Sequence, residues 1–349
     1  MRRFTRVATV GIASAALALS ATACGSTTSS EGNSDKKEPS AAIAYDIGGR
    51  GDQSFNDAAY AGLEKAVKDL DIKGNDEEPS EGESDADKVQ RLVNLAKAGN
   101  NPVIGVGFAY ATAVKEAAAK YPKTTFGIID DSTNKADNVA NMVFAEEQGS
   151  YLAGVAAALT TKTDVVGFIG GVETPLIKKF EAGFVQGVKD TDKNIDIKVQ
   201  YLTQPPNFDG FSKPDLGKAA AEGMLDKKAD VVYHAAGGAG NGVIEAVAGA
   251  GKWAIGVDSD QYQQEGLADY KDNILTSVTK NVSGAVYDLI KSVKDGDAKT
   301  GVITYDLKVD GVGLADSNPD FKSNTKLVEA VEKAKQEIID GTIKVKTTP

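Results

Sequence analysis

Short apolar runs alternate with longer amphipathic stretches along the chain from residue 41 onwards. The apolar runs show no internal polar alternation, which is typical of strands buried on both faces of a parallel sheet. In the stretches between them, apolar residues recur at helical spacing. The predicted strands are Ala41–Tyr45, Val103–Val106, Thr125–Ile129, Val139–Phe144, Val165–Ile169, Ile197–Leu202, Val231–His234, Trp253–Val257 and Ile274–Val278. The predicted helices are Ser54–Asp69, Ala86–Ala98, Ala111–Lys120, Glu147–Leu159, Pro175–Lys189, Asp215–Asp226, Gly242–Ala250, Ser283–Lys294 and Thr325–Asp340.

This alternation of strand and helix predicts an α/β fold with parallel sheets that helices cover on both faces. The predicted strands are too many for one sheet in a chain of this length, so we expect two similar halves. The first half runs over Ala41–Phe144 and the second over Ala145–Val278, with the tail returning to one of them. The acidic segment Lys73–Asp85 contains Gly, Ser and Pro and is predicted to be a loop.

The amino terminus has the pattern of an export signal. Arg2, Arg3 and Arg6 precede an apolar run, Val7–Ala21. A charged segment followed by an apolar run too short to span a bilayer is typical of a signal peptide, which we place at residues 1–23. Because Phe4 directly follows the arginine pair, the fuller twin-arginine motif is absent, and the sequence leaves the export route open.

Cys24 ends the sequence Ala-Thr-Ala-Cys, which resembles the lipobox of bacterial lipoproteins, although that pattern prefers Leu at the position of Ala21. The resemblance implies that the Cys24 thiol is acylated and anchors the mature chain to the extracytoplasmic face of the cell membrane. A plain signal peptide with an incidental cysteine is the alternative. Against it, Cys24 is the only cysteine in the chain and lies at the cleavage junction. Residues 24–40 are predicted to form a flexible tether.

Composition limits the chemistry of the remaining residues, about 310 in number. With one cysteine there is no intramolecular disulfide, so the core must stabilise the fold. The net charge of −11 argues against a nucleic-acid partner, which demands a basic face. The one histidine, His234, ends an apolar strand, where a buried or cleft-lining role is favoured over that of a base. Only carboxylates are left as metal ligands. A calcium site in Asn75–Asp85 is an alternative, but this run lacks EF-hand spacing, which favours a solvated loop. We expect no metal site and no cofactor.

The strongest functional pattern lies in the first strand–helix turn, Ala44–Asn56. Open α/β sheets bind ligands at this end of their strands. Asp46 follows the strand, and Phe55 and Asn56 begin the helix, so that a carboxylate, an aromatic ring and an amide would face one crevice. These groups suit a polar ligand that has a ring. On the pattern alone, a turn with a core Phe and capping Asp and Asn residues explains them equally well.

The same turn resembles the signature of the basic membrane protein (BMP/PnrA-like) family, lipoproteins that serve as substrate-binding components of ABC transporters. The resemblance continues in the expected order through nearly the whole mature chain. It is carried by the segments Ile104–Phe108, Phe126–Asp130, Asn138–Val139, Phe144, Gly149–Gly154, Gly170–Gly171, Phe180–Phe184, Ala235–Gly242 and Ile255–Gln261.

This resemblance implies a type I periplasmic-binding-protein fold, in which two doubly wound parallel-sheet lobes are joined by a hinge of three segments. Lobe I is expected to contain residues 41–144 and about 280–298, and lobe II residues 145–279 and about 299–349. The family implies a nucleoside ligand between the lobes, with a purine nucleoside the first expectation, and ABC permease subunits as partners. We expect the protein to be a monomer and not an enzyme.

By position, the resemblance implies a set of ligand contacts in both lobes. Two phenyl rings from opposite lobes could sandwich a base. The carboxylate of Asp258 could accept both ribose hydroxyls, and Lys280 could donate to a ribose oxygen. Without the resemblance, Phe180 and Phe208 are explained as core residues and Lys280 as a solvated lysine. The implied contacts are Asp46, Phe55, Asn56, Asp130, Phe180, Phe208, Gly238, Asp258 and Lys280.

Two other classes of function use the same features. A lipoprotein that senses a ligand for a membrane receptor would have the same cleft, and only a neighbouring permease gene or an uptake defect separates the two. An extracellular nucleoside hydrolase would need a nucleophile with a base, or an aspartate cluster for a metal, and the sequence presents neither. The glycine run Gly237–Gly242 departs from G-x-G-x-x-G spacing, which favours a turn that shapes the cleft over a dinucleotide site.

Overall fold

The computed structural model describes residues Glu38–Pro349. The predicted signal peptide, Cys24 and the tether up to residue 37 lie outside the described residues. The described part forms two sheets of six strands each. In chain order the strands are β1 (Ser40–Ala44), β2 (Lys73–Glu77), β3 (Val103–Gly105), β4 (Phe126–Ile129), β5 (Val139–Phe144), β6 (Val165–Val172), β7 (Asp196–Thr203), β8 (Val231–Ala235), β9 (Trp253–Asp258), β10 (Ile274–Lys280), β11 (Gly301–Tyr305) and β12 (Val312–Leu314).

Helices follow most of these strands, as the predicted α/β class requires. Every predicted strand and helix has a counterpart within a few residues. The helices are α1 (Phe55–Leu70), α2 (Asp85–Ala98), α3 (Ala111–Lys120), α4 (Glu146–Thr160), α5 (Pro175–Thr191), α6 (Pro214–Asp226), α7 (Gly240–Gly249), α8 (Val282–Lys294), α9 (Pro319–Ser323) and α10 (Thr325–Ile339).

The first sheet defines lobe I and has the strand order β11-β5-β4-β3-β1-β2, with every pairing parallel. Successive side chains of a strand point to opposite faces. In β1, Ile43 accordingly belongs to the same buried core as Leu63 of α1 and Leu289 of α8. Its neighbour Ala44 belongs to the core that Leu92 of α2 shares with α3. Burial on both faces explains the uninterrupted apolar run that predicted this strand.

The second sheet defines lobe II and has the order β12-β10-β9-β8-β6-β7. All its pairings are parallel except that of β10 with β12, which is antiparallel. On one face Phe168 of β6 packs with Phe184 of α5, and α4 lies beside α5. On the other face Ile169 of β6 packs with Met224 of α6 and Val243 of α7. The predicted architecture of two parallel-sheet lobes is therefore confirmed.

The chain passes between the sheets after Phe144, after Lys280 and after Tyr305. We expected the last passage near residue 298. Instead β11 pairs in parallel with β5, Gly301 opposite Ala140, so the chain stays in lobe I until Tyr305. No strand was predicted here although Val302, Ile303 and Tyr305 are strand formers. The run is short and all five of its residues are exposed or half-buried.

The prediction of a loop over Lys73–Asp85 is wrong for its first five residues, which form β2. All five residues of β2 are exposed, and the strand is an edge strand that pairs with β1, Lys73 opposite Ser40. Backbone hydrogen bonds hold a strand of this kind, so its side chains carry no hydrophobic pattern. None of the helices in the described part is long and apolar enough to cross a membrane.

Candidate functional site

Residues that follow the carboxyl ends of strands in both sheets line one cavity between the lobes. Its empty volume, including the space open to solvent, is about 590 Å³. Lobe I contributes Asp46, Ile47, Asp52, Phe55, Asn56, Gly107, Phe108 and Asp130. Lobe II contributes Leu176, Ile177, Phe180, Phe211, Ala235, Gly237, Val257, Asp258 and Lys280.

The amino end of α1 forms part of the cavity wall and is held there by Asp52. The Asp52 carboxylate accepts hydrogen bonds from the backbone N–H groups of Ser54 at 2.9 Å and Asn56 at 2.8 Å. The Asn56 side chain donates from Nδ2 to Asp52 Oδ2 at 3.2 Å and accepts from the backbone N–H of Asp46 at 3.3 Å. A carboxylate at this position satisfies free N–H groups and interacts favourably with the helix dipole. Asp52 therefore fixes Phe55 and Asn56 at the wall.

Asp46 lies beyond the end of β1 and is 8% exposed. Its Oδ1 accepts a hydrogen bond from the backbone N–H of Ile47 at 2.7 Å. Burial raises the pKa of the Asp46 carboxyl to about 6. Gly107 packs directly against this carboxylate: its φ is +101°, and a Cβ at this position would overlap Asp46 Oδ2. A glycine after β3 is thus what leaves room for the Asp46 side chain.

A buried cluster of charged side chains joins the two lobes beside the cavity. Lys280, at the end of β10, places Nζ 2.6 Å from Asp130 Oδ2 and 3.3 Å from Glu146 Oε1. The side chains of all three residues are at most 5% exposed. Burial opposes the charge of Lys280, but Asp130, Glu146 and Asp258 together raise its pKa, so the ammonium stays charged. Burial raises the pKa of Asp130, and Lys280 counteracts this effect.

Aromatic rings surround the Lys280 ammonium. Its Nζ lies 5.0 Å from the ring centroids of Phe55 and Phe144 and 5.8 Å from that of Phe180. Phe55 begins α1 in lobe I, whereas Phe180 belongs to α5 in lobe II, and both rings line the cavity. A cation within about 6 Å of a ring face is attracted to it. The lysine and the two rings thus hold one another in place across the lobes.

The cavity brings together most of the residues that the sequence singled out: Asp46, Phe55, Asn56, Asp130, Phe180, Asp258 and Lys280. Phe208 and Gly238 lie outside its lining, and Phe211 and Gly237 line the wall nearby. Phe208 precedes the 3₁₀ turn Asp209–Phe211, and its ring centroid is 6.1 Å from that of Phe108. The segment around Phe208 matched the family only loosely, so its register could not be read from the sequence. Ligand contact stays a prediction for all nine residues.

Sequence reasoning missed several lining and supporting residues. Asp52 precedes the first helix by three positions, and an acidic residue just before a helix start was the available signal. Glu146 had no local signal, because its role depends on Lys280, which is distant in sequence and meets it only in the fold. Phe108 and Phe211 face each other from opposite lobes with ring centroids 6.4 Å apart, another long-range contact.

His234 is fully buried in β8 and does not line the cavity. Its Nε2 lies 3.0 Å from Gln261 Oε1, and burial lowers its pKa to about 4. The imidazole is therefore neutral at neutral pH. Among the described residues, no group of three or more His, Cys, Asp or Glu side chains is placed to hold a metal ion.

Comparison with known proteins gives one consistent family. A family model described as "ABC transporter substrate-binding protein PnrA-like" matches residues 40–348. A "CD4+ T-cell-stimulating antigen" of Listeria innocua is 39% identical over 344 residues, which cover 94% of each chain. The "ABC transporter nucleoside-binding protein BmpA" of Lactococcus lactis is 36% identical over 327 residues, covering 89% of this chain and 90% of the relative.

An archaeal relative and a solved structure extend this similarity. A protein of Pyrococcus horikoshii named as a lipoprotein is 37% identical over 285 residues, 79% of this chain and 68% of the relative. The crystal structure of a solute-binding protein of an ABC transporter system from Aeropyrum pernix superposes with a TM-score of 0.75 at 28% identity. That similarity covers 88% of this chain and 93% of the Aeropyrum chain, so it includes both lobes.

Proposed function

Because the chain belongs to the PnrA-like family of ABC transporter substrate-binding proteins, we propose that it binds a nucleoside between its lobes and delivers it to an ABC permease. The observation that carries this proposal is that phenyl rings from both lobes, Phe55 and Phe180, share one cavity with buried charged side chains. A nucleoside has a flat base, which suits the phenyl rings, and a polar ribose, which suits the charged side chains. The name of the Lactococcus lactis relative, which includes nucleoside binding, supports the assignment.

In this proposal the base lies between Phe55 and Phe180. Offset stacking on an aromatic ring stabilises a flat heterocycle, and a purine offers a larger face than a pyrimidine, so purine nucleosides are the first candidates. Asp46 and Asn56 lie at the same wall as Phe55. They would bind the edge of the base, Asp46 by accepting from an N–H group and Asn56 by accepting or donating.

The ribose would lie against the charged cluster. Asp130 Oδ1 is buried and has no hydrogen-bond partner among the residues that the structure describes. An unsatisfied buried acceptor is costly, and a ligand hydroxyl would satisfy it. Asp258 accepts from Ser54 Oγ at 2.6 Å through Oδ2, and a carboxylate can accept a ribose hydroxyl at the same time. Lys280 would donate to a ribose oxygen.

The proposed location is the extracytoplasmic face of the cell membrane. Cys24, acylated after removal of residues 1–23, would hold the folded lobes through the tether that ends near residue 40. The lipoprotein name of the Pyrococcus horikoshii relative supports this placement. A receptor that is kept beside its permease in this way would act as a monomer, with its lobes moving about the three passages between the sheets.

A thermal-shift screen of the purified protein against nucleosides, free bases and ribose tests the proposal. A ligand present at about 100 times its dissociation constant stabilises the folded state by about 2.7 kcal/mol, which raises the melting temperature by several degrees. We expect this stabilisation from one or more nucleosides. If no nucleoside stabilises the protein while another class of solute does, the nucleoside assignment fails.

The proposed role of Asp258 has a separate test. The Asp258→Ala variant loses a carboxylate whose proposed contact with the ligand is to the ribose, so ribosides should lose more affinity than free bases. We expect a difference of about 10-fold or more, since hydrogen bonds to a charged group contribute roughly 1.5–3 kcal/mol. Competition binding of a nucleoside and its free base measures this difference. Equal losses for the two ligands would contradict a ribose contact.

A further inference from the structure

Ser54 joins the two lobes outside the cavity lining. Its Oγ donates to Asp258 Oδ2 at 2.6 Å, and its backbone oxygen accepts from Ser259 Oγ at 3.0 Å. Ser54 is the residue before α1 in lobe I, whereas Asp258 ends β9 in lobe II and Ser259 follows it. The residue that begins the helix carrying Phe55 is thus bound at two points to the opposite lobe.

Gln53 makes two further contacts with lobe II. Its backbone oxygen accepts from Gln261 Nε2 at 3.2 Å, and its side-chain Oε1 accepts from the backbone N–H of Gly266 at 3.2 Å. Gln53 has a left-handed backbone conformation, with φ of 56°. This uncommon conformation for a residue with a side chain is supported from within lobe I, because the Gln53 backbone N–H donates to Asp57 Oδ2 at 2.9 Å.

The amide of Gln261 is oriented by groups of lobe II. Its Oε1 lies 3.0 Å from the backbone nitrogen of Val257, which donates to it, and 3.0 Å from His234 Nε2. Because Oε1 accepts from Val257, the Gln261 amide nitrogen faces Gln53. A neutral His234 that carries its proton on Nε2 completes this arrangement as a second donor. The single histidine of the chain therefore acts as a positioning residue for a contact between the lobes.

From these contacts we infer that Gln53 and Ser54 form a latch, which holds lobe I against Ser259, Gln261 and Gly266 of lobe II and stabilises the closed arrangement whatever ligand the cavity holds. The inference rests on the proposed function, because a latch affects binding only if a solute is captured by closure. None of Gln53, Ser54, Ser259, Gln261 and Gly266 lines the cavity. The latch therefore acts on the equilibrium between open and closed forms and not on recognition.

This role has a quantitative signature. When only the closed form binds, the apparent dissociation constant is the intrinsic one divided by the closed fraction. A change in the latch multiplies the dissociation constants of all ligands by the same factor. A change in a cavity residue instead alters the ratio between ligands. Because the latch contacts must break before release, the change should lie mainly in the dissociation rate.

The test is a double variant, Gln53→Asn with Ser259→Ala. Asn tolerates the left-handed backbone of Gln53 but is too short to reach Gly266, and the second substitution removes the hydroxyl that donates to Ser54. The matched control, Gln90→Asn with Ser323→Ala, makes the same chemical changes at exposed positions of α2 and α9. Dissociation constants and dissociation rates of several nucleosides are measured by calorimetry and stopped-flow fluorescence for the wild-type, latch and control proteins.

We expect the latch variant to raise the dissociation constant of every bound nucleoside on the order of 10-fold, by a common factor, with the control unchanged. Unchanged constants, or losses confined to some nucleosides, would overturn the latch. If the wild-type protein binds no nucleoside, the proposed function has failed and the latch is measured by small-angle scattering without ligand. In that scattering experiment the latch variant must have a larger radius of gyration than the wild-type and control proteins. Equal radii of gyration would overturn the inference.

Discussion

Buried ionisable side chains are concentrated at the cavity. Asp46, Asp130, Asp258 and Lys280 are all removed from water there, and burial raises the pKa of each of the three carboxyls. Keeping a carboxylate in such a place costs stability, and in return a ligand with N–H or O–H donors meets acceptors that water does not already satisfy. Individual residues should therefore affect stability and binding in opposite directions.

Asp46 should show this opposition most simply. Its pKa in the folded protein, about 6, lies above the 3.8 usual for Asp, so its contribution to stability is fully present below pH 4 and is lost as the pH rises through 6. Asp46→Asn should therefore raise the free energy of unfolding by about 3 kcal/mol at pH 7.5 and by much less at pH 4. Urea unfolding at the two pH values measures this, with Asp297→Asn at an exposed loop as the control. An Asp46→Asn variant that is less stable than wild type at pH 7.5 would refute the assigned cost.

Lys280 should behave differently because it neutralises its neighbours. Lys280→Met leaves Asp130 and Glu146 buried without their cation, and removing one partner of such a pair costs roughly 3–5 kcal/mol. The loss should be smaller at pH 6 than at pH 8, because Asp130 binds a proton more readily as the pH falls. Chemical unfolding at both pH values tests this, with Lys299→Met at an exposed position as control. A loss that is independent of pH would mean that the carboxylates are not left uncompensated.

At this scale the sequence predicted the residues that follow strand ends but not the contacts between them. Asp46 could be placed because the ends of parallel strands lie at one edge of a sheet, whereas Asp258 came from the family resemblance. The sequence could not place Glu146 or Gln261, which contacts the latch residue Gln53. Their partners come from distant parts of the chain, and only the assembled fold brings them together. The lining contains Phe211 where Phe208 was predicted. This difference depends on the 3₁₀ turn Asp209–Phe211, which no pattern in the sequence specifies.

Among the elements, α4 and α5 of lobe II make an unusually close pair. At Gly183 an added Cβ would overlap the backbone oxygen of Glu147, and at Gly187 that of Tyr151. Glycine at these positions lets the two helix backbones approach closely, at a cost in helix propensity. Because α4 follows directly on the first passage between the sheets, this packing also sets where Glu146 meets Lys280.

Gly187→Ala should therefore destabilise the protein by about 1–3 kcal/mol, through overpacking of the helix pair. Gly223 in α6 provides the matched control, because a Cβ there meets nothing within 4 Å. Gly223→Ala should be neutral or stabilise the fold by up to about 1 kcal/mol, since alanine favours a helix. Thermal unfolding compares the two variants. The same change in both melting temperatures would mean that the α4–α5 contact is not tight.

In the described part, element prediction succeeded for the central strands and failed for three of the four edge strands, β2, β11 and β12. The fourth edge strand, β7, was predicted although none of its residues is buried. The central strands β4 and β8 are buried throughout, and their apolar runs predicted them. The edge strands β2 and β11 are held by backbone hydrogen bonds to a single neighbour, which any sequence can form. Because β11 was not predicted, the last passage between the lobes was placed before it and not after Tyr305.

At the scale of the whole molecule, two lobes of separate sheets enclose one cavity, and their order along the chain follows the family pattern. The α/β class could be predicted from periodicity alone, whereas the two-lobe arrangement came mainly from the family resemblance between Asp46 and Lys280. Cys24 and the tether lie outside the described residues, so the location of the protein rests on its sequence and its lipoprotein relatives. The proposed function requires that the cavity recognises a base and a ribose together.

Isothermal titration calorimetry of the purified protein tests this joint recognition, with purine and pyrimidine nucleosides, their free bases and ribose as titrants. We predict that one or more nucleosides bind, one per chain, with a dissociation constant of about 1 μM or lower. The corresponding base and ribose should each bind at least about 100-fold more weakly, because neither occupies both the aromatic and the charged wall. The absence of binding heat for every nucleoside, or equal affinity for a nucleoside and its free base, would show that the cavity does not recognise base and ribose together.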